Sequence, residues 1–206
     1  MVDNFELIKS LLSFNSEDDF YHLQIIRRGK DHPELEAANR TIKTYYITKV
    51  DSLDRIKDEV ITLCKLFGAR AYINLGKRSF RKCTMMCISD MAKRAYDEDF
   101  KKIYKVWNTV VGAVKPAEPR WVIDLDDYTL GQVNPLIPFI NSLKPLDIKD
   151  KIIATIPTKS GYHLITTSFD LLNFRNKYPN IDVHKNNPTI LYVPRHKKSV
   201  DTLIYN

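Results

Sequence analysis

The sequence predicts an α+β fold in which short strands are interspersed with helices. Several runs of apolar residues follow the two-residue period of a strand, and others follow the period of a helix. With 206 residues and 44% hydrophobic content, the chain is long enough to bury one substantial core, or two small lobes that pack across a cleft. Pro116 and Pro119 interrupt the pattern near the middle, so we expect two modules, residues 1–115 and 116–206, within one compact unit.

The first module is predicted to have α/β character. Asp51 and Ser52 are expected to cap a helix whose apolar residues lie on one face, and Gly68 is expected to end it. The long helical region that follows is expected to break near residues 96–97. In chain order we expect a helix, two strands, a helix, a strand and a long helical region, at 5–12, 20–26, 42–50, 53–67, 69–75 and 79–111.

The second module is predicted to contain a sheet. Its strands are interspersed with two helices, a pattern that favours an α+β or split βαβ arrangement. In chain order we expect a strand, a helix, two strands, a helix and a final pair of short strands, at 121–126, 133–144, 151–156, 162–167, 169–177, 181–184 and 189–193.

The chain carries a net charge of +7, and many of its cations fall in clusters. Nucleic acid is the commonest acidic partner of a basic protein, although a run of charges is usually a solvated face. The clusters lie at 27–30, 77–82, 101–105 and 195–198. Together they favour a groove that binds phosphate groups. The predicted nucleic-acid contacts are Arg78, Arg81, Lys82, Arg195 and Lys197.

Membrane insertion and disulfide bonding are not expected. No apolar run approaches the length needed to cross a bilayer, and the N-terminus lacks the regions of a signal peptide. A cytoplasmic location is therefore expected, in the host cytoplasm for a chain encoded by a virus or plasmid. Cys64, Cys83 and Cys87 are expected to be buried thiols. The alternative is a zinc site, for which Cys83 and Cys87 lack a second pair of ligands nearby.

The most informative residues are Asp124 and Asp126, which end an apolar run that begins at Trp121. Residues two apart in a strand lie on the same face, so the two carboxylates would share one patch. Two such anions repel unless a cation lies between them or one is protonated, which predicts a hard divalent ion such as Mg²⁺ or Mn²⁺. The alternative is a strand that simply ends in an acidic turn at Asp127.

A second polar cluster, residues 157–165, lies between two apolar runs. Gly161 would let the backbone approach a ligand closely, Ser160 supplies a hydroxyl, and His163 can donate to a phosphate oxygen. With Lys159 as a further phosphate contact, these residues would form a seat for a triphosphate. The alternative is a hairpin turn with a structural histidine that is hydrogen-bonded in the core.

A third acid, Asp182, begins a short apolar strand and is followed by a polar turn. A centre that transfers phosphoryl groups with two metal ions needs a carboxylate of this kind beside Asp124 and Asp126. The alternative for Asp182 is a surface acid in a turn. Asp170 is a rival ligand, ranked lower because acids are favoured in the first turn of a helix in any case.

In this order, the three clusters resemble the signatures of the archaeo-eukaryotic primase superfamily, which includes primase catalytic subunits, primase-polymerases and the polymerase domain of bacterial end-joining ligases. A hydrophobic strand with Asp-x-Asp matches at 123–126, a Ser-x-His-type motif at 160–163, and a hydrophobic residue followed by Asp at 181–182. The stretch 182–192 is also similar to the ligase-associated polymerase domain. The resemblance covers about residues 120–195 and implies a primase-like core whose C-terminal RRM-like sheet carries the catalytic acids.

The resemblance implies a template-dependent nucleotidyltransferase that makes or extends short RNA or DNA primers on single-stranded DNA from nucleoside triphosphates. Asp124, Asp126 and Asp182 would hold two Mg²⁺ or Mn²⁺ ions, while Ser160 and His163 would bind the phosphates of the incoming nucleotide. The chain lacks the cysteine and histidine set of the zinc module that many primases carry, and it lacks the Gly-rich loop of a helicase. We therefore expect template selection and unwinding to need a helicase or another replication protein in trans.

Two other functions stay open from the sequence. A binding module could keep the basic groove without catalysis, as an accessory of replication or repair, although all three acids and the histidine are present. A metal-dependent nuclease would also use clustered Asp residues, but the segment that binds a triphosphate would then have less to do.

Overall fold

A computed structural model describes residues 1–36 and 38–195, and it confirms the predicted α+β class. The strands are β1 (Val2–Asp3), β2 (Asp19–Arg27), β3 (Arg40–Ile47), β4 (Arg70–Ser79), β5 (Trp121–Asp126), β6 (Ile152–Pro157), β7 (Gly161–Thr166), β8 (Asp182–His184) and β9 (Thr189–Val193). The α-helices are α1 (Phe5–Leu11), α2 (Val50–Phe67), α3 (Phe80–Tyr96), α4 (Val106–Ala113), α5 (Leu130–Val133), α6 (Leu136–Ser142) and α7 (Leu171–Lys177). Short 3₁₀ turns lie at Gly29–Asp31, Pro33–Leu35 and Phe100–Lys105.

The first sheet has five antiparallel strands in the order β1-β9-β4-β2-β3. Leu23 and Ile25 of β2 pair with Ile73 and Ala71 of β4, and all four side chains are fully buried. Helices α1 and α2 cover this face of the sheet. Helices α3 and α4 pack on one end of the opposite face, around Phe20. The other end of that face is left free to line a cleft.

Two helix boundaries differ from the sequence prediction. The expected cap of α2 by Asp51 and Ser52 is wrong, because the helix begins earlier, after Lys49, and Asp51 lies in its first turn. Its predicted end at Gly68 is confirmed, with φ at +58°. The helix predicted at 133–144 is divided into α5 and α6, and Pro135, which has no N–H to donate, stands between them.

The second sheet has four antiparallel strands in the order β6-β7-β5-β8. Trp121, Ile123 and Leu125 on one face of β5 are buried in a core cluster that α5, α6 and α7 complete. Because side chains alternate along a strand, Asp124 and Asp126 point to the other face. The sequence predicted this placement correctly.

The last strand of the chain does not join the second sheet. Strand β9 returns to the first sheet, where it pairs with β4 and with β1. The predicted module 116–206 therefore contributes a strand to the sheet of the module 1–115. The boundary between these modules stays a prediction, but the strands are not divided between the two sheets at that boundary.

Asn4 links the two sheets through its buried side-chain amide. Its Nδ2 donates to the carbonyl of Pro157, at the end of β6, and to the carbonyl of Ile190, in β9, with both distances at 2.9 Å. Its backbone N–H donates to the Leu191 carbonyl at 2.9 Å. Since Asn4 is only 4% exposed, water cannot replace these bonds. Asn4 therefore links the two sheets by hydrogen bonds, in addition to the hydrophobic contacts that Val122, Ile156 and Ile165 of the second sheet make with the core of the first.

We expect Asn4→Ala to lower the free energy of unfolding by about 2–3 kcal/mol, because it leaves the Pro157 and Ile190 carbonyls without their donor. Urea unfolding measures the change. Asn108→Ala, on an exposed position of α4, is the matched control and should change stability by less than about 0.5 kcal/mol. Equal effects of the two substitutions would contradict the bridging role.

Gly161 begins β7 directly opposite Asp126 of β5. A Cβ atom at this position would lie 2.0 Å from the Leu125 carbonyl oxygen and 3.1 Å from the Asp127 nitrogen. Both contacts are with backbone, which cannot move aside without separating the two strands. Glycine is therefore required here because the backbones of β7 and β5 approach closely, whereas the sequence predicted a close approach to a ligand.

We expect Gly161→Ala to lower the free energy of unfolding by about 1–3 kcal/mol, because the added methyl group forces β7 away from β5. Gly112→Ala is the control, since a Cβ there meets no atom within 4 Å and α4 should gain about 0.5–1 kcal/mol. Chemical denaturation measures the stability of both variants, which should change in opposite directions. Destabilisation of Gly112→Ala without destabilisation of Gly161→Ala would contradict the role given to Gly161.

Candidate active site

A cleft of about 560 Å³ separates the second sheet from the free end of the first sheet. Its volume falls within the range of small-molecule and cofactor sites. The second sheet and its connecting turns contribute Asp124, Asp126, Lys159, Ser160, His163 and His184. The first sheet and the segment after β2 contribute Ile26, Arg28, Lys30, Arg70 and Tyr72. Acidic residues thus face basic residues across the cleft.

The register of β5 brings together three polar residues that are far apart in the sequence. Asp124 pairs with His163 of β7 on one side and with Asp182 of β8 on the other. Residues directly opposite each other in antiparallel strands have Cα atoms about 4.5–5.5 Å apart, and their side chains lie on the same face. Asp182 is exposed on the edge strand, outside the residues that line the cleft, but it is the direct neighbour of Asp124.

The Asp124 carboxylate and the His163 imidazole form the centre of this group. Asp124 Oδ1 lies 3.5 Å from His163 Nε2, and the two side chains are 34% and 13% exposed. This distance is too long for a well-formed hydrogen bond, and Oδ1 is a buried acceptor without a hydrogen-bond donor in the described part of the chain. The neighbouring His163 holds the pKa of Asp124 below its usual value, although burial acts in the opposite direction.

Thr189 orients the His163 ring from its other side. Its Oγ1 lies 2.9 Å from His163 Nδ1, and Thr189 itself is buried. A Thr189 hydroxyl that donates to Nδ1 leaves the proton of the neutral imidazole on Nε2, which faces Asp124. The imidazole is therefore held at the cleft. It does not lie in the hydrophobic interior, as one alternative from the sequence required.

The segment that carries the second motif, residues 157–165, contains the hairpin turn between β6 and β7. A hairpin turn is the sequence-based alternative to a triphosphate seat, and this part of the alternative is confirmed. The Thr158 and Gly161 backbones pair across it, and Thr158 Oγ1 accepts from the Gly161 N–H at 3.0 Å. Ser160 Oγ donates to Asp126 Oδ1 at 2.8 Å, so the hydroxyl orients a carboxylate. Lys159 is exposed at the tip and lines the cleft.

The structure separates Asp182 from its rival, Asp170. Asp170 caps α7, where its Oδ1 accepts from the Asn173 N–H at 3.1 Å and its Oδ2 accepts from the Asn173 amide at 2.6 Å. Both carboxylate oxygens of Asp170 therefore serve the helix. The lower rank given to Asp170 agrees with this capping role.

The residues present have the donor chemistry that a hard divalent ion needs. Carboxylate oxygens are the preferred ligands of Mg²⁺ and Mn²⁺, and the buried Oδ1 of Asp124 has no donor. Within residues 1–36 and 38–195, no three His, Cys, Asp or Glu side chains stand close enough together to enclose a metal ion. Asp182 would therefore need to turn towards Asp124 to share one.

The predicted basic contacts fall into three groups. Arg78 is wrong as a nucleic-acid contact, because it is 3% exposed and its guanidinium donates to the carbonyls of Val111 and Gly76 at 2.7 and 3.2 Å. Burial also lowers the pKa of Arg78. The exposed contacts outside the cleft are Arg81, Lys82 and Arg195. Lys197 lies outside the described residues.

Several residues of the cleft were not predicted as site residues. Arg28 and Lys30 belong to the basic cluster at 27–30, which the sequence marked without locating it. His184 lies two residues after Asp182 and pairs with Val122 of β5. The two-residue period of β8 could have placed it on the same face as Asp182.

No family model, curated protein or solved structure matches the chain. Within the described residues, none of the helices combines the length and the apolar character that crossing a bilayer requires.

We expect the ionised Asp124 to stabilise the fold at pH above 3.8, its usual pKa, and this contribution to disappear as the pH falls through the lower pKa of the folded state. The difference in unfolding free energy between the wild type and Asp124→Asn should therefore shrink between about pH 5 and about pH 2. Denaturant unfolding across this range measures it. Asp147→Asn, an exposed acid outside the cleft, is the control, and a difference for Asp124→Asn that does not change with pH would refute the assignment.

Proposed function

We propose that the protein is a template-dependent nucleotidyltransferase of the primase or primase-polymerase kind, which makes or extends short primers. The observation that carries this proposal is the strand register that places Asp124 beside both His163 and Asp182. The three sequence motifs come from different parts of the chain, and phosphoryl transfer requires such groups to meet at one site.

Asp124, Asp126 and Asp182 would hold the divalent ions, as Mg²⁺ or Mn²⁺. When bound, the ions would lower the pKa of an attacking 3′-hydroxyl and neutralise charge on the pyrophosphate that leaves. The hydrogen bond from Ser160 keeps Asp126 oriented for this task. No side chain has to act as a covalent nucleophile.

The other residues of the second sheet would bind the triphosphate. His163 Nε2 would donate to a phosphate oxygen, with its ring fixed by Thr189. Lys159, at the tip of the hairpin, would add a positive charge on the same side of the cleft. The cleft excludes part of the surrounding water, which strengthens these interactions.

The fold supports the same proposal at a coarser level. Four antiparallel strands carry the acids on one face and are covered by helices on the other, as an RRM-like catalytic sheet would be. The net charge of +7 favours a single-stranded DNA template. A helicase or another replication protein would act in trans, in the cytoplasm.

The test is a primer-synthesis assay with single-stranded DNA, labelled ribonucleotides or deoxyribonucleotides, and Mg²⁺ or Mn²⁺, on unprimed and primed templates. The wild type should form product, and Asp124→Ala combined with Asp126→Ala should reduce it to the background of a reaction without protein. Asp147→Asn removes an acid outside the cleft and should retain full activity.

Two outcomes would contradict the proposal. One is the absence of product from the wild type under all these conditions, and the other is equal product from the wild type and the double variant. Tight binding of DNA by an inactive wild type would favour the accessory role. Degradation of DNA without nucleotide-induced thermal stabilisation would favour a nuclease.

A further inference from the structure

The wall of the cleft formed by the first sheet carries a group of basic and hydroxyl side chains that the proposed chemistry does not use. Arg70 pairs with Ile26, and Tyr72 pairs with Gln24, so the two side chains lie on the same face of β4. Arg28 follows the end of β2 and lines the same wall. These residues face the acids of the second sheet across the cleft.

Two of these side chains have buried donors that are not satisfied. Arg70 is 7% exposed, and its Nη2 donates to Asp31 Oδ1 at 2.6 Å, but its Nε has no partner in the described ranges. The Tyr72 hydroxyl is also buried without a partner among these residues. A buried donor without an acceptor is unfavourable, and because Arg70 and Tyr72 line the cleft, a ligand bound there would supply the missing acceptor.

The charge of this wall is positive. Arg28, Lys30 and Arg70 stand against one carboxylate, Asp31, and no carboxylate among the described residues lies within 4.0 Å of the Arg28 guanidinium. Burial raises the pKa of the Tyr72 phenol, while the neighbouring Arg28 and Arg70 oppose that rise. The phenol therefore stays protonated near neutral pH and can donate a hydrogen bond.

We propose that Arg28, Arg70 and Tyr72 form a phosphate subsite that binds phosphate oxygens of a nucleoside triphosphate without the help of a metal ion. Guanidinium groups donate hydrogen bonds and cannot accept them, and the protonated phenol can donate one more, which suits a phosphate better than a neutral ligand. A cleft of about 560 Å³ has the size of a site for a small molecule or cofactor, and so has room for a nucleotide. The choice of a nucleotide as the source of the phosphate rests on the proposed function.

The test uses the full chain in EDTA, where the acids hold no divalent ion, and measures binding of inorganic tripolyphosphate by calorimetry. The wild type should bind, Arg28→Gln should weaken binding about tenfold or more, and Tyr72→Phe should weaken it about fivefold. Tyr72→Phe removes only a hydroxyl, so it keeps the test valid where the arginine variant folds poorly. Asp124→Asn combined with Asp126→Asn should tighten binding, because it removes negative charge from the wall that faces the phosphate groups.

Arg55→Gln and Tyr96→Phe are the matched controls, since both residues lie outside the cleft, and their binding should equal that of the wild type. Failure of the wild type to bind tripolyphosphate, or equal binding by all variants, would overturn the subsite. A parallel titration with a short oligodeoxythymidylate separates the two sources of phosphate. A loss in Arg28→Gln that affects only the oligonucleotide would overturn the assignment to a nucleotide.

The same variants distinguish this inference from the proposed function. Weakened tripolyphosphate binding in Arg28→Gln and Tyr72→Phe, with no primer synthesis by the wild type, would support the subsite and reject the polymerase. Primer synthesis by the wild type, with equal tripolyphosphate binding by all variants, would reject the subsite alone.

Discussion

Backbone hydrogen bonds between β5 and its two neighbours determine which side chains meet at the cleft. β5 lies between β7 and β8 and pairs with both in antiparallel register. Asp124 is therefore opposite His163 on one side and opposite Asp182 on the other. A shift of either neighbour by one residue would turn its polar side chain towards the helices that cover the other face. Gly161 protects this register, since no larger residue fits against the Leu125 carbonyl.

The second constraint is the connection between the two sheets. Strand β9 returns to the first sheet immediately after β8 in the second, and Asn4 donates to β6 and β9 together. The turn between β8 and β9 contacts the first sheet through Asn186. Its carbonyl accepts from Asn74 Nδ2 at 2.9 Å, and its Oδ1 lies 3.4 Å from Arg78 Nη2. Arg78, which the charge pattern predicted as a nucleic-acid contact, therefore lies buried beside the turn that follows β8, the strand of Asp182.

The distribution of charge across the cleft follows from this architecture. One sheet presents carboxylates and an imidazole, and the other presents guanidinium groups and a phenol. Each wall retains buried polar atoms without a partner in the described part of the chain, and such atoms are unfavourable. They are Asp124 Oδ1 on one side, and Arg70 Nε and the Tyr72 hydroxyl on the other. A ligand that carries both phosphate groups and divalent cations would satisfy both walls.

The sequence by itself determined the approximate positions of most strands and helices, the shared face of Asp124 and Asp126, and the helix stop at Gly68, because each depends on residues that are close in the chain. It could not locate Arg28, Arg70 or Tyr72 in the cleft, nor distinguish the buried Arg78 from exposed cations, because a local pattern carries no information on burial or on which segments face each other. Only the tertiary structure decided that β9 joins the first sheet and that two walls face each other. Those features arise from pairing between residues that are distant in sequence, which local periodicity cannot encode.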